Sequence, residues 1–138
     1  MADPSITPSA VVPPTTNVVP GIAGEAILAG QSVYSDSTDS NKIKLADCNA
    51  SAATATAVGL AANSAPAAGQ PVSYLTDGDM TMNAVLVQGE IYLVSATAGG
   101  ISPEADIVTT DDYVSIIGVA KSTTVLSIKI NNSGNQIP

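Results

Sequence analysis

Histidine, arginine, phenylalanine and tryptophan are all missing from this chain, and cysteine occurs once, as Cys48. Each absence removes a class of function. Without histidine the usual general base near neutral pH is gone, and no Cys–His pair can form. A lone cysteine excludes an internal disulfide framework and a zinc cluster. It reads as a small buried or half-buried apolar residue. With no arginine, only Lys42, Lys44, Lys121 and Lys129 face 12 acids, and the net charge is −8. Nucleic-acid binding by phosphate neutralisation needs clustered cations, and four scattered lysines exclude it. The negative charge keeps copies soluble and apart at long range. The only aromatics are Tyr34, Tyr74, Tyr92 and Tyr113. A core must therefore rest on Val, Ile, Leu and Ala, and the branched aliphatics among them suit a pleated sheet.

Long hydrophobic runs are missing too. None approaches the roughly 18 residues of a membrane helix, and the N-terminus lacks the basic-then-apolar pattern of a secretory signal. No membrane partner is expected. The 138 residues suffice for one domain with a real core.

Residues 1–20 stand apart. Prolines at 4, 8, 13, 14 and 20 fix φ and remove donors, which favours an extended segment and forbids a helix or central strand. Two readings remain open for it: a disordered leader, or an arm that orders on a partner. The apolar pairs within it favour binding residues at Val11, Val12, Pro13, Pro14, Val18, Val19 and Pro20. Residues 21–138 form the expected body.

From residue 21 short apolar runs alternate with Gly, Asp, Asn, Ser and Thr clusters, a strand-and-turn pattern. Strands are expected near 25–28, 31–35, 41–45, 56–62, 70–75, 84–87, 90–96, 113–121 and 124–130. Turns are expected at 35–41, 76–79, 97–104 and 109–112. The Ala-rich stretch 47–57 predicts a single helical turn or a loop, with Asp47 or Asn49 able to cap it.

The same apolar phrase occurs twice, as Val58-Gly59-Leu60-Ala61 and Ile117-Gly118-Val119-Ala120, 59 residues apart. At that offset Gly30 meets Gly89, Ala46-Asp47 meets Ala105-Asp106, and Ala26-Ile27-Leu28 meets Val85-Leu86-Val87. The order of features repeats: apolar segment, glycine, Tyr-bearing strand, polar turn, Ala-Asp, glycine-centred strand. This predicts two similar β-units about a pseudo-twofold axis. Gly59 and Gly118 are the expected strand-bend positions, where a small barrel closes.

No constellation points to chemistry. The carboxylate pairs Asp36/Asp39, Asp77/Asp79 and Asp111/Asp112 sit in turn sequences, where Asp bonds its own backbone. Thr76-Asp77-Gly78-Asp79 falls far short of a calcium loop and reads as a hairpin turn. Gly99-Gly100 lacks the lysine and the helix of a phosphate loop. No catalytic residue, metal site or cofactor is expected, and the chain is expected to work by binding.

The ordered phrases Ala23-Gly24-Glu25-Ala26-Ile27, Lys42-Ile43-Lys44-Leu45-Ala46-Asp47, Val58-Gly59-Leu60-Ala61, Gly69-Gln70-Pro71-Val72, Gly89-Glu90-Ile91-Tyr92-Leu93-Val94 and Ile117-Gly118-Val119-Ala120 resemble the head decoration (capsid cement) proteins of tailed bacteriophages. The resemblance spans about residues 21–138. It implies an all-β body, a closed or partly open β-barrel or β-tulip, on the outer surface of a phage head. It implies the major capsid protein as partner, a homotrimer, and an N-terminal segment that lies along the shell. The competing reading is a phage tail or fibre module, or a host-surface carbohydrate-binding module.

Overall fold

The computed structural model describes residues 3–14, 17–107 and 109–137. Ten strands, one α-helical turn and two 3-10 turns (Pro8–Ala10 and Glu104–Asp106) lie among them, the strands and the α-turn being β1 (Val18–Ile22), β2 (Ser32–Asp36), β3 (Lys42–Leu45), α1 (Ala52–Ala55), β4 (Gly59–Ala61), β5 (Pro71–Leu75), β6 (Asp77–Thr81), β7 (Ile91–Val94), β8 (Ile101–Pro103), β9 (Tyr113–Ala120) and β10 (Val125–Gln136). The protein is all-β, as its composition predicts, with 44% strand and 8% helix. There are two antiparallel five-stranded sheets, sheet I in the order β1-β5-β4-β2-β3 and sheet II in the order β6-β10-β9-β7-β8.

Those two orders are one order written twice. Each strand of the first sheet has its counterpart five strands later. Registers agree as well: Val33 faces Gly59 in the first unit, and Tyr92 faces Gly118 in the second. Loop hydrogen bonds repeat. Gly30 N–H donates to Ala61 O and Gly89 N–H to Ala120 O, both at 2.8 Å. Ala61 N–H donates to Gln31 O (2.8 Å), and Ala120 N–H to Glu90 O (3.0 Å). The repeat read from the sequence is thus a structural one.

The paired glycines owe their identity to the neighbouring strand. A Cβ on Gly59 would collide with the carbonyl of Leu75, and one on Gly118 with the carbonyl of Ser127. Neither backbone could stay where it is with any other residue.

Each unit has its own apolar filling. Ala23, Ile27, Val33 and Val72 line the first. Their counterparts by offset and pairing are Met82, Leu86, Tyr92 and Leu126, which belong to the larger cluster that also joins the two units. The second unit fills its interior with larger side chains. Tyr92 is 1% exposed, and its hydroxyl accepts from Val87 N–H (3.0 Å), so its polar end is satisfied as burial demands. Each fully buried aliphatic side chain here contributes about 1.5–3 kcal/mol.

Sheet I turns back on itself. Ala23, just after β1, forms a parallel bridge with Ile43 of β3 at the opposite edge, and Gly24 N–H donates to Ile43 O (2.8 Å). This is a bridge and not a ladder, so the barrel stays partly open; no closed barrel is formed among the described residues.

Several local expectations are corrected. Residues 25–28 and 84–87 are not strands; they are apolar because Ile27 and Leu86 plug the interiors. The stretch 76–79 is no hairpin turn. After Leu75 the chain passes through Thr76 straight into β6, crossing from one sheet to the other. The expected turn at 97–104 holds β8, a short edge strand ending at Pro103, where an unpaired side tolerates proline. The helical turn at 52–55 is real, but Ser51 caps it: its hydroxyl accepts from Thr54 N–H (3.2 Å) and the Thr54 hydroxyl accepts from Ser51 N–H (3.0 Å). The expected division at Pro20 falls inside β1, whose place at a sheet edge suits Pro20.

Candidate functional site

The outer face of sheet II carries two shallow apolar depressions that meet at Ile116. One, of about 400 Å³, is lined by Ile91, Leu93, Glu104, Ile107, Val114, Ile116 and Ile137. The other, of about 410 Å³, runs along β9 and β10 past Val119, Lys129 and Ile130. Leu93 and Ile107 form the floor, at 3% and 9% exposed. Ile91, Val114, Ile116, Ile130 and Ile137 are half-buried, and Val119 is 40% exposed. Apolar residues gathered on one face of a monomer mark an interaction surface. Lys129 at its border makes no ion pair among the described residues, whereas Lys42, Lys44 and Lys121 each have a carboxylate partner.

The N-terminal segment is the second candidate. Residues 3–14 lie folded onto the body. Val12 pairs with Thr81 at the free edge of β6 through two hydrogen bonds of 2.8 and 3.1 Å. Asn83 clamps the arm through its side chain, accepting from Thr7 N–H (2.8 Å) and donating to Ser5 O (3.0 Å). The Ser95 hydroxyl donates to the Asp3 carboxylate. Ile6 and Val11 pack against the main cluster and over Gly30, whose φ of +90° and missing Cβ make room for them. Of the expected binding residues, Val12 is 59% exposed, and Val11, Pro13 and Pro14 are half-buried. Val18, Val19 and Pro20 belong to β1, opposite Leu75, Tyr74 and Ser73. Gly59 and Gly118 are buried inside their sheets.

Three of the acids in the pairs, Asp36, Asp39 and Asp79, are bound to lysines. Asp36 and Asp39 hold Lys44 at 2.8 and 3.1 Å across the β2–β3 hairpin. The Lys44 ammonium and the Thr38 donors bring the Asp36 carboxyl down from 3.8 to about 2, and the Lys44 ammonium is raised in turn. Asp79 pairs with Lys121 at 2.7 Å. Asp112 is 5% exposed beside Cys48. Burial, followed by the charges of Asp112 and Asp47, pushes the Cys48 thiol up to about 12. No cluster that could hold a metal ion occurs among the described residues.

No protein-family model, curated protein or solved structure matches the chain.

The face of sheet II was not singled out in the sequence, yet a signal for it exists. In Ile91-Tyr92-Leu93-Val94 both alternate sets are apolar. A strand covered on one side needs only one such set. Tyr92 and Val94 fill the interior; Ile91 and Leu93 are left for the outer face.

Proposed function

We propose that this protein is a non-catalytic structural component of a phage virion that binds the outer surface of the capsid and cements the shell. Its partners are the major capsid protein and further copies of itself in a homotrimer. The observation that carries this reading is the arm. It adds to an exposed sheet edge by main-chain hydrogen bonds, and an extended segment can add to a neighbour's edge the same way, without charge complementarity.

Few groups hold the arm on its own body. Each ordered residue costs about 1–2 kcal/mol of backbone entropy, while each hydrogen bond returns about 0.5–1.5 kcal/mol net. Pro4, Pro8, Pro13 and Pro14 lower the entropy cost, because the free arm is already extended. A shell that offers an edge can therefore compete for the arm. A ligand specific to the assembled state stabilises that state by mass action, and many copies on a symmetric lattice add avidity. The resemblance over residues 21–138 supplies the identity of the lattice.

The test is a chain lacking residues 2–17, a cut that spares β1. The body should keep its β-type circular dichroism and lose decoration of purified capsids in a co-sedimentation assay. Full occupancy by the truncated chain would refute the arm's role.

A further inference from the structure

Among the described residues, the hydrogen bonds between the two units run in one direction. Gly99, in the turn between β7 and β8, sits as a peg in the first unit: Ser32 N–H donates to Gly99 O (2.8 Å) and Gly99 N–H donates to Ala46 O (2.8 Å). The Ser32 hydroxyl donates to Gly100 O (2.8 Å), Cys48 N–H to Ser95 O (3.1 Å), and Tyr113 N–H to Cys48 O (2.9 Å). Asn132 exchanges two hydrogen bonds with the Ala57 backbone at 2.9 and 3.1 Å. A twofold pairing would make these contacts reciprocal. The reciprocal peg would be the β2–β3 turn, where Ser40 corresponds to Gly99 and shares its left-handed backbone, at φ +54° against +79°. No hydrogen bond or ion pair joins Asp36–Asn41 to the second unit among the described residues.

The consequence appears 59 residues on. Ser32, Cys48, Ala55 and Ala57 are at most 2% exposed, because the second unit and its peg cover them. Their counterparts are Ile91, Ile107, Val114 and Ile116. Those four line the open 400 Å³ depression, and Leu93 and Glu104, counterparts of Tyr34 and Leu45, complete six of its seven walls. The uncovered face is more apolar than the covered one. It also continues the apolar cluster that joins the two units, with Ile91, Val114 and Ile116 packed against that cluster.

We propose that a second copy of this chain covers the face, by seating the outer side of its first unit, with the β2–β3 turn as peg, on the second unit's groove. The contact repeats between molecules what already exists within one. It is head-to-tail: groove meets hairpin, never groove meets groove. Such contacts propagate into rings or open chains. In the seated turn Ser40 meets Glu104 and Glu90, where Gly99 meets Leu45 and Gln31; its hydroxyl can donate to either carboxylate. This inference deepens the self-association in the proposed function, and its test on the free protein is separate from the test of capsid binding.

The test uses two kinds of full-chain variant. Ile116→Glu, with Val114→Glu as its second version, spoils the groove. Ser40→Arg spoils the exposed peg. Sedimentation velocity at high concentration should show wild type as multi-chain species and each variant as single chains, with circular dichroism unchanged. An equimolar mixture of a groove variant with the peg variant should form two-chain species and nothing larger, because only one intact groove and one intact peg remain per pair. Wild type that stays a single chain at every concentration overturns the proposal. So does a peg variant that assembles like wild type, or a mixture that stays single-chain.

Discussion

Gly59 and Gly118 stand 59 residues apart in the chain and occupy the same place in two sheets, each pressed against the carbonyl of a neighbouring strand, Leu75 for one and Ser127 for the other. The contact is backbone to backbone, so no rotamer change can relieve an added methyl group. Gly59→Ala and Gly118→Ala should each destabilise the fold by about 3 kcal/mol, at the upper end for overpacked interiors. Gly69→Ala is the control. Nothing lies within 4 Å of a Cβ there, so only its positive φ is strained, at about 1–2 kcal/mol. Urea denaturation of the three variants checks the order.

Asp36 makes stability depend on acid pH in a defined window. Its carboxyl titrates at about 2 in the folded chain against an ordinary 3.8. A depressed folded value means that the unfolded state takes up the proton first, so the contribution is present above about 4 and is lost as pH falls through about 2. Melting temperatures of wild type and Asp36→Asn should converge across that interval. A constant difference between them down to pH 2 would show that the carboxylate charge is not what matters.

Cys48 should be inert in the native state. It is 0% exposed, and its thiol is pushed up to about 12, so almost no thiolate exists at pH 8. A chromogenic disulfide reagent should leave the native protein unlabelled and label one thiol per chain in denaturant. Rapid native-state labelling would contradict the packing around α1.

Asn83 holds the arm by both ends of its amide. Asn83→Ala removes the acceptor for Thr7 and the donor to Ser5. Limited proteolysis should then cut within residues 3–14 several-fold faster, with little change in melting temperature, because the side chain secures the arm and not the sheets. Equal cleavage rates would mean that Val12, Ile6 and Asp3 suffice.

Much of this was legible in the residues. The offset of 59 correctly anticipated two units of one topology, because a glycine facing a carbonyl and an apolar plug before a positive-φ turn leave fixed traces in sequence. Strands β2, β3, β4, β5, β7, β9 and β10 follow from short apolar runs set between turn-forming clusters. The edge strands β1, β6 and β8 do not. They hold Pro20, Gly78 and Pro103, residues that mark turns in a local reading and are tolerated at edges once a neighbouring strand pairs on one side. The open groove was hidden for a different reason. Ile91 and Ile116 look like core, and only the one-way hydrogen bonding between the units shows that their outer side is left open among the described residues.

The central claim is that this chain coats a phage head. Quantitative mass spectrometry of purified virions tests it directly, by the ratio of this protein to the major capsid protein. The account predicts hundreds of copies per particle, in fixed proportion to the shell subunit. A handful of copies would place it in a tail or fibre, and none would contradict the account outright.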